Sequence, residues 1–416
     1  MVKEVSEEAK RLKRMIILAL TTLLLMSSAV QAARVSPRAC WTLAVYLDSD
    51  NNLEFWAGKD LDEMMRVGSS EAVNIVVLWD RYSGPANVYR VLRGGLEELK
   101  DCALDGVEPN MGASATLRTF VAYALKRFPA SSFALLCWDH GDDFRGCMYD
   151  EHVPAEGFDI LTHQEVAAAL KGFEVDVLIY GACVLGTVEV VYEYYASGLD
   201  IDYYVANEGY DPMDGFPYDT ILARLVAQPG TASLDLANMF VDEYIDYYAS
   251  EGKPYSQAVT LSVVQVSKVG RVVADLRSMT DAIMMDMDSY AGIVSDARGH
   301  ANLPWSENGW DRLIDLPTFV KTIHDESLDA ALVKNIDLYA VASVVALSET
   351  LLRSLSEAIL YHRNLHSMER AGCYGMGIYF PTSRETYQRN EEAYEAMRFA
   401  WKGWTDFLNA YWVVKQ

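Results

Sequence analysis

Two apolar segments of the sequence each lead into a residue that could take part in covalent chemistry. Phe133–Asp139 is followed directly by His140, and Val175–Tyr180 is followed, after two small residues, by Cys183. Apolar and β-branched runs of this length are typical of strands buried in a sheet. The carboxyl ends of parallel strands meet at one edge of a sheet, where ligands bind. A cysteine that meets a histidine and backbone N–H groups at such an edge is suited to acyl transfer.

The surroundings of the two residues agree with this chemistry. A helical pattern, Thr187–Ala196, follows Cys183, and a helix N-terminus favours a thiolate over a thiol. Gly141 directly follows the histidine and would let a substrate carbonyl approach the backbone closely. The alternative is a cysteine of the core, because free cysteine is among the most buried residue types. The histidine motif on a second strand favours a nucleophile over this alternative.

The composition limits the classes of partner. The chain has 416 residues, 51% of them hydrophobic, and a net charge of −24. Nucleic acid and anionic membranes require a basic face, so neither is expected as a main partner. The charge fits a soluble secreted protein or one with a basic ligand. The six cysteines show no CxxC pair and no metal-ligand spacing, so they predict no zinc site and leave one or two unassigned disulfides open.

The N-terminus, residues 1–33, has the order of a secretory signal. The basic stretch Lys10–Arg14 precedes the apolar run Met15–Met26, and small residues follow, ending in Val30–Ala33. We therefore expect a secreted or periplasmic protein, with a signal anchor as the alternative. The apolar run is short for a membrane span, and no other stretch is predicted to cross a membrane.

The rest of the chain divides by its pattern. Strand and helix patterns alternate over residues 34–291, which predicts a mostly parallel sheet with helices on both faces. Gly292–Pro317 is predicted to be a loop region and Thr318–His362 to be mostly helical. We expect residues 292–416 to form an elaboration packed on the core, with a separate C-terminal domain as the alternative.

The order of several short motifs resembles the clostripain family of cysteine peptidases, of the same clan as caspases, legumains and gingipains. The resemblance spans nearly all of the chain after the predicted signal. It rests on WTLAVYLDSDNNLE (41–54), CWDHG (137–141), LTHQEVAAAL (161–170), GACVLGTVEVVYE (181–193), DGFPYD (214–219) and GIYFP (377–381).

This resemblance implies a fold and roles for the two reactive residues. The fold would be a caspase-like α/β sandwich of three layers. Cys183 would attack the scissile carbonyl, and His140 would protonate the leaving amine. The backbone N–H groups of Gly141 and Cys183 would form the oxyanion hole. The substrate would be a peptide or protein.

One departure from the family concerns the pocket for the substrate's P1 side chain. The family usually has an aspartate two residues before the nucleophile, where this chain has Gly181. A preference for Arg or Lys at P1 therefore does not carry over from the resemblance. Glu208 and Asp211, with Asp214 as a weaker candidate, could supply the missing charge, or they could serve only turns and caps. Asp142-Asp143, after the histidine, could tune substrate charge or simply be solvated.

No cofactor is predicted to be required. The acidic segment Asp48–Asn52 resembles a calcium loop in composition, but it lacks the spacing of an EF-hand. Capping of the following helix is therefore the preferred interpretation. The family contains a calcium-dependent member, which leaves a Ca²⁺ requirement open.

The sequence thus predicts a secreted cysteine endopeptidase that uses a Cys183–His140 dyad. Two alternatives stay open at this point. One is a non-enzymatic secreted or surface binding protein that retains the fold, which the Gly181 and Asp142-Asp143 departures would fit. The other is a clan relative that prefers a non-basic P1 residue. The sequence makes no prediction of oligomeric state.

Overall fold

The β-branched and apolar segments of the sequence build one large sheet, as their burial requires. The computed structural model describes residues 39–153, 157–250, 259–303, 312–333, 337–365 and 373–415. The predicted signal segment, residues 1–33, lies outside the described residues. The part from Ala39 onward forms one compact unit.

The strands are numbered in chain order. They are β1 Ala39–Ser49, β2 Val73–Arg81, β3 Gly84–Leu92, β4 Gly95–Glu98, β5 Ala130–Trp138, β6 Cys147–Asp150, β7 Asp159–Leu161, β8 Glu174–Gly181, β9 Asp200–Ala206, β10 Thr260–Gln265, β11 Leu313–Asp315, β12 Ile359–Asn364 and β13 Gly377–Tyr379.

The α-helices that the structure describes are numbered in the same way. They are α1 Glu54–Val67, α2 Ser114–Arg127, α3 His163–Leu170, α4 Val188–Ala196, α5 Tyr218–Ala227, α6 Ser233–Ala249, α7 Val269–Met284, α8 Met287–His300, α9 Leu316–Val333, α10 Leu338–Ala358, α11 Arg384–Ala396 and α12 Trp404–Lys415.

The main sheet has nine strands in the order β12-β10-β9-β8-β5-β1-β2-β3-β4. The five central strands, β9 to β2, run parallel, and antiparallel strands complete both edges. In the register of β5 against β8, Trp138 lies opposite Gly181. The residues that follow these two strands therefore emerge side by side.

Side chains of the central strands alternate between two buried cores. On β8, Val177 and Ile179 belong to the core that contains residues of α1, α5 and α6. Leu178 and Tyr180 belong to the core that contains residues of α2, α3, α4 and α7. Because successive strand residues point to opposite faces, helices cover both sides of the sheet. The predicted three-layer α/β sandwich with a mostly parallel sheet is confirmed.

The C-terminal part differs from the prediction in two places. The helix predicted to reach His362 ends at Ala358, and Ile359–Asn364 pairs antiparallel with β10 as the edge strand β12. The apolar and aromatic start of that segment can pair with β10, which otherwise would be an open edge. The loop predicted from Gly292 is helical through His300, because Ile293, Val294 and Ala297 lie on the buried face of α8. The division at residue 292 stays a prediction.

By length and composition, α10 is the helix of the described part that could cross a membrane. A core helix of a soluble protein meets the same test, and α10 packs against α7 and α9. The six cysteines, all in the described residues, are free thiols. The disulfides left open by the sequence are therefore not formed in this structure.

Candidate active site

His140 and Cys183 line one small cavity at the carboxyl edge of the sheet. They reach it from β5 and β8, which are hydrogen-bonded neighbours. The backbone pairing continues past the strands, because the N–H of Asp139 donates to the carbonyl of Gly181. The cavity encloses about 60 Å³. Its walls are formed by Leu53, Trp56, Trp138, Asp139, His140, Gly181, Cys183, Asp211, Pro212, Met213 and Gly215.

Cys183 lies in a tight turn that the backbone holds firmly. Val184 has φ of 54°, an unusual conformation for a β-branched residue. Its N–H donates to the carbonyl of Gly209 at 2.7 Å and to Oδ1 of Asn207 at 3.1 Å. The helix α4 begins at Val188, as the pattern Thr187–Ala196 predicts, and Cys183 precedes it by five residues within this turn. The turn, and not the helix dipole, sets the surroundings of the sulfur.

The thiol is half-buried and protonated in the resting protein. The N–H of Asp211 donates to Sγ of Cys183 at 3.3 Å, which favours the thiolate. Burial has the larger effect and raises the thiol pKa to about 12. The sulfur therefore needs help to lose its proton when it reacts.

His140 is positioned by a residue that the sequence did not identify. Its Nε2–H donates to Oδ1 of Asn52 at 2.8 Å, and the edge of its ring meets Tyr149. Burial lowers the pKa of His140, so the neutral ring is favoured. In this tautomer Nδ1 is the nitrogen that can gain and lose a proton. The one indication of this role in the sequence is the position of Asn52 in the polar turn after β1.

Gly141 lies against the backbone of Cys183. A Cβ added at Gly141 would stand 2.3 Å from the carbonyl oxygen of Cys183 and 3.2 Å from its nitrogen. Gly141 also bridges to Cys147, but the bonds of that bridge involve the N–H groups of Asp142 and Met148. The N–H of Gly141 is thus not used by the bridge. This arrangement explains why a glycine stands here and agrees with the predicted oxyanion hole.

Gly181 forms part of the cavity wall between two aromatic rings. A Cβ at this position would lie 3.2 Å from Trp138 and 3.4 Å from Phe216. The indole N–H of Trp138 donates to Oδ2 of Asp60 at 2.7 Å, and burial raises the pKa of Asp60 well above its usual value. The sequence did not identify Asp60. It lies behind the wall as a buried acid and keeps the indole in place.

The structure separates the three acids proposed for the P1 pocket. Asp211 lines the cavity and accepts a hydrogen bond from Tyr244 at 2.7 Å, and burial raises its pKa to about 7. Asp214 lies outside the cavity lining and accepts from Tyr247 at 3.0 Å.

Glu208 is not brought to the cavity. It is fully buried, beside Asp315, and Oε2 accepts from the N–H of Gly375 at 3.0 Å. Burial, together with the neighbouring Asp315 carboxyl, raises the pKa of Glu208. Its position indicates a role in joining the C-terminal part to the core.

The two aspartates after the histidine are ion-paired, which excludes the alternative that they are simply solvated. Nη2 of Arg312 contacts Asp142 at 2.7 Å, and Nε of Arg312 contacts Asp143 at 2.7 Å. Asp143 is fully buried and has φ of 46°. Separating the partners of a buried ion pair strongly destabilises a protein. This ion pair therefore holds the loop after His140 in one conformation.

The acidic turn after β1 does not cap the following helix in the expected way. The residue before α1 is Leu53, whose side chain cannot cap. Asn51 accepts from the N–H of Leu53 and donates to both Asp139 and the carbonyl of Tyr149, at 2.8 Å each. The turn therefore connects β1 to the loop that carries the histidine.

Comparison with known proteins identifies relatives of similar fold. The sequence model of the clostripain family matches residues 45–412. Clostripain from Hathewaya histolytica is 29% identical over 230 residues, which cover 47% of this chain and 44% of clostripain. This chain therefore matches less than half of that relative's length.

Two crystal structures share the fold at low sequence identity. A secreted C11 cysteine protease from Bacteroides thetaiotaomicron, bound to an irreversible peptide inhibitor, has a TM-score of 0.62 and 19% identity, covering 87% of this chain and 99% of that one. An inactive zymogen C11 protease from Parabacteroides distasonis has a TM-score of 0.61 and 18% identity, covering 88% and 99%. These structures confirm the predicted caspase-like fold.

We expect Gly141→Ala to distort the site, because the backbone must move to separate Cβ from the Cys183 carbonyl. The free energy of unfolding should fall by about 1–3 kcal/mol, the usual cost of overpacking. The matched control is Gly58→Ala in α1, where a Cβ meets nothing within 4 Å. Denaturant unfolding of both variants checks this, and equal stability of the two would contradict it.

Proposed function

Because the chain belongs to the clostripain family of cysteine peptidases, we propose that it is an exported endopeptidase in which Cys183 and His140 form the catalytic dyad. The observation that carries this proposal is the common cavity of the two side chains at the ends of adjacent parallel strands. Peptides or proteins are the substrates that such a family acts on. Within the part of the chain that the structure describes, no feature favours a second function.

The chemistry follows from the protonation states of the dyad. Sγ of Cys183 passes its proton to Nδ1 of the neutral His140 and bonds to the scissile carbonyl carbon. The N–H groups of Gly141 and Cys183 stabilise the oxyanion that forms. Nδ1 of the protonated His140 then gives a proton to the amine as the C–N bond breaks. Water hydrolyses the resulting thioester and restores the thiol.

The P1 pocket combines apolar walls with Asp211, an acid that could face the substrate. Leu53, Trp56 and Met213 line the cavity, and Gly181 stands where the family has an acid. Two carboxyls belong to the lining, Asp139 and Asp211. Both oxygens of Asp139 accept hydrogen bonds, from Asn51 and from the N–H of Tyr149, and Asp211 is only partly ionised near neutral pH. We therefore propose that long side chains are accepted at P1, with a weaker preference for Arg and Lys than two acids would produce.

Export is proposed from the N-terminal signal pattern. The described residues do not include that segment. A secreted relative of similar fold and the acidic surface charge of this chain both support the proposal.

The single most informative experiment is cleavage profiling on a mixed peptide library. We expect specific cleavage by the wild-type protein and at least about a 10³-fold loss for Cys183→Ala, because the nucleophile is removed. Cys40→Ala, which alters a half-buried thiol outside the cavity lining, should cleave like wild type. Wild-type rates from Cys183→Ala would overturn the proposal.

Asn52 is proposed as a positioning residue that acts through His140. Asn52→Ala should lower kcat by about 10-fold while KM changes little, since the ring loses its orientation. Asn52→Asp keeps an acceptor and should restore much of kcat. Its carboxylate favours the protonated ring, so the pH at which activity declines on the alkaline side should rise. Equal kcat and pH profiles for the two variants would contradict a positioning role.

The preference for a charged P1 residue should depend on pH through Asp211. With a pKa of about 7, Asp211 is mostly neutral at low pH and ionised above it. The ratio of kcat/KM for Lys over uncharged norleucine at P1 should therefore rise about 10-fold between roughly pH 6 and pH 8. Titration of the dyad changes kcat/KM for both substrates by the same factor, so it does not affect this ratio.

Two variants test the assignment to this carboxyl. Asp211→Asn should remove the rise in the ratio. Asp214→Asn, outside the cavity lining, should keep it. A ratio that does not change with pH in the wild-type protein would count against Asp211 as the P1 acid.

A further inference from the structure

Tyr149, on β6, lies where several contacts around the histidine of the dyad meet. Its ring lies against the ring of His140, with centroids 5.7 Å apart and planes at 72°. The backbone N–H of Tyr149 donates to Oδ2 of Asp139, the residue before the histidine. Its carbonyl accepts from Nδ2 of Asn51 at 2.8 Å, and Asn51 precedes Asn52, which binds His140. Both the main chain and the ring of Tyr149 are therefore held beside the dyad.

The His140 ring needs a second contact to fix its orientation. Its hydrogen bond to Asn52 holds one atom, Nε2, and does not by itself fix the plane of the ring. The direction in which Nδ1 points depends on that plane, and Nδ1 is the atom that exchanges the proton with the reacting groups. A neighbouring aromatic ring at a steep angle attracts the imidazole and opposes its rotation. Tyr149 supplies this contact.

The phenol of Tyr149 is bound in turn to the loop after the histidine. Its O–H donates to Oδ2 of Asp142 at 3.1 Å. Burial, together with the charge of Asp142, raises the pKa of Tyr149, so the phenol keeps its proton and remains a donor. The ring of Phe158 packs against the ring of Tyr149 with centroids 5.7 Å apart. The position of the Tyr149 ring therefore depends on the carboxylate of Asp142.

Arg312 holds that carboxylate from the C-terminal part of the chain. Nη2 of Arg312 contacts Oδ1 of Asp142 at 2.7 Å, and Nε contacts Oδ2 of Asp143 at 2.7 Å. The guanidinium is planar and the side chain is only 11% exposed, so the two contacts fix its position. Arg145 also binds Asp142, but it belongs to the same loop and is 30% exposed. Arg312 thus ties the carboxylate to a segment 170 positions away.

We propose that Tyr149 is a positioning residue of His140, and that Arg312 acts on the histidine through Asp142 and Tyr149. Both roles rest on the proposed function, since they concern proton transfer by the dyad. Neither Tyr149 nor Arg312 belongs to the cavity lining, so loss of either should lower kcat and leave KM nearly unchanged. The C-terminal part of the chain thereby controls the orientation of the dyad.

The first test is kinetic and compares Tyr149 with a matched control. Tyr149→Leu should lower kcat about 10-fold, because the ring contact is lost. Tyr149→Phe keeps the ring and loses only the bond to Asp142, so kcat should recover to within about 3-fold of wild type. Tyr82→Leu removes a ring that packs on a different histidine, His152, with centroids 4.5 Å apart, and should leave kcat unchanged.

A double-mutant cycle separates action through Tyr149 from a general effect on the loop. Arg312→Gln should lower kcat about 3-fold in the wild-type protein and no further when Tyr149→Leu is present. A general effect would lower kcat by the same factor in both proteins. Arg363→Gln is the matched control, because Arg363 also binds two acids, Asp242 at 3.2 Å and Asp246 at 2.8 Å. It should leave kcat unchanged.

A measurement without substrate keeps these roles separate from the proposed function. In Cys183→Ala protein with isotope-labelled histidine, NMR reports the ring signals of His140, which His140→Gln identifies by their loss. Arg312→Gln should shift these signals, and it should not shift them when Tyr149→Leu is also present. If Arg312→Gln does not fold, Tyr149→Phe replaces it, since that variant leaves the ion pairs intact and should shift the same signals.

Three results would overturn the proposal. The first is a folded Arg312→Gln or Tyr149→Phe protein whose His140 signals match those of the parent protein. The second is an unchanged kcat in Tyr149→Leu. The third is an Arg312→Gln effect on kcat that is equal with and without Tyr149→Leu. A wild-type protein that cleaves no peptide would contradict the proposed function instead, and the NMR signals would still decide whether Arg312 and Tyr149 hold His140.

Discussion

The site depends on the parallel pairing of β5 with β8, in the register that places Trp138 opposite Gly181. A shift by one residue would turn every buried side chain of β8 to the other face, so the two cores enforce this register. The contact of Gly141 with the Cys183 backbone follows from it, as does the cavity that the two reactive residues share. The helices contribute by burying the strands that set this alignment.

The same burial that orders the site also limits its reactivity. Enclosing the Cys183 sulfur raises the pKa of the thiol and keeps it neutral, while enclosing His140 favours the uncharged ring. A neutral pair costs less to bury than an ion pair would. A neutral thiol is a weaker nucleophile than a thiolate, so the resting protein is protected from indiscriminate thiol chemistry.

Much of the fold could be predicted from the sequence, because buried strands and amphipathic helices leave local patterns. His140 and Cys183 could also be predicted from the sequence, because each follows such a strand within a few residues. Contacts between distant positions could not be predicted. Asn52 and His140 are 88 positions apart, and Asp60 and Trp138 are 78 apart. The resemblance to the family suggests Glu208, on the loop after β9, for the P1 pocket, but its side chain packs against the C-terminal part instead.

The C-terminal strand β13 binds the segment that follows the turn of Cys183. The N–H of Gly377 donates to the carbonyl of Gly186 at 2.8 Å, and the N–H of Tyr379 donates to the buried Glu189 of α4. Protein synthesis proceeds from the N-terminus, so the turn of Cys183 lacks this support until β13 has also left the ribosome. A nascent chain carries both reactive residues long before their framework is complete. The order of the segments along the chain thus delays completion of the site until β13 has been synthesised.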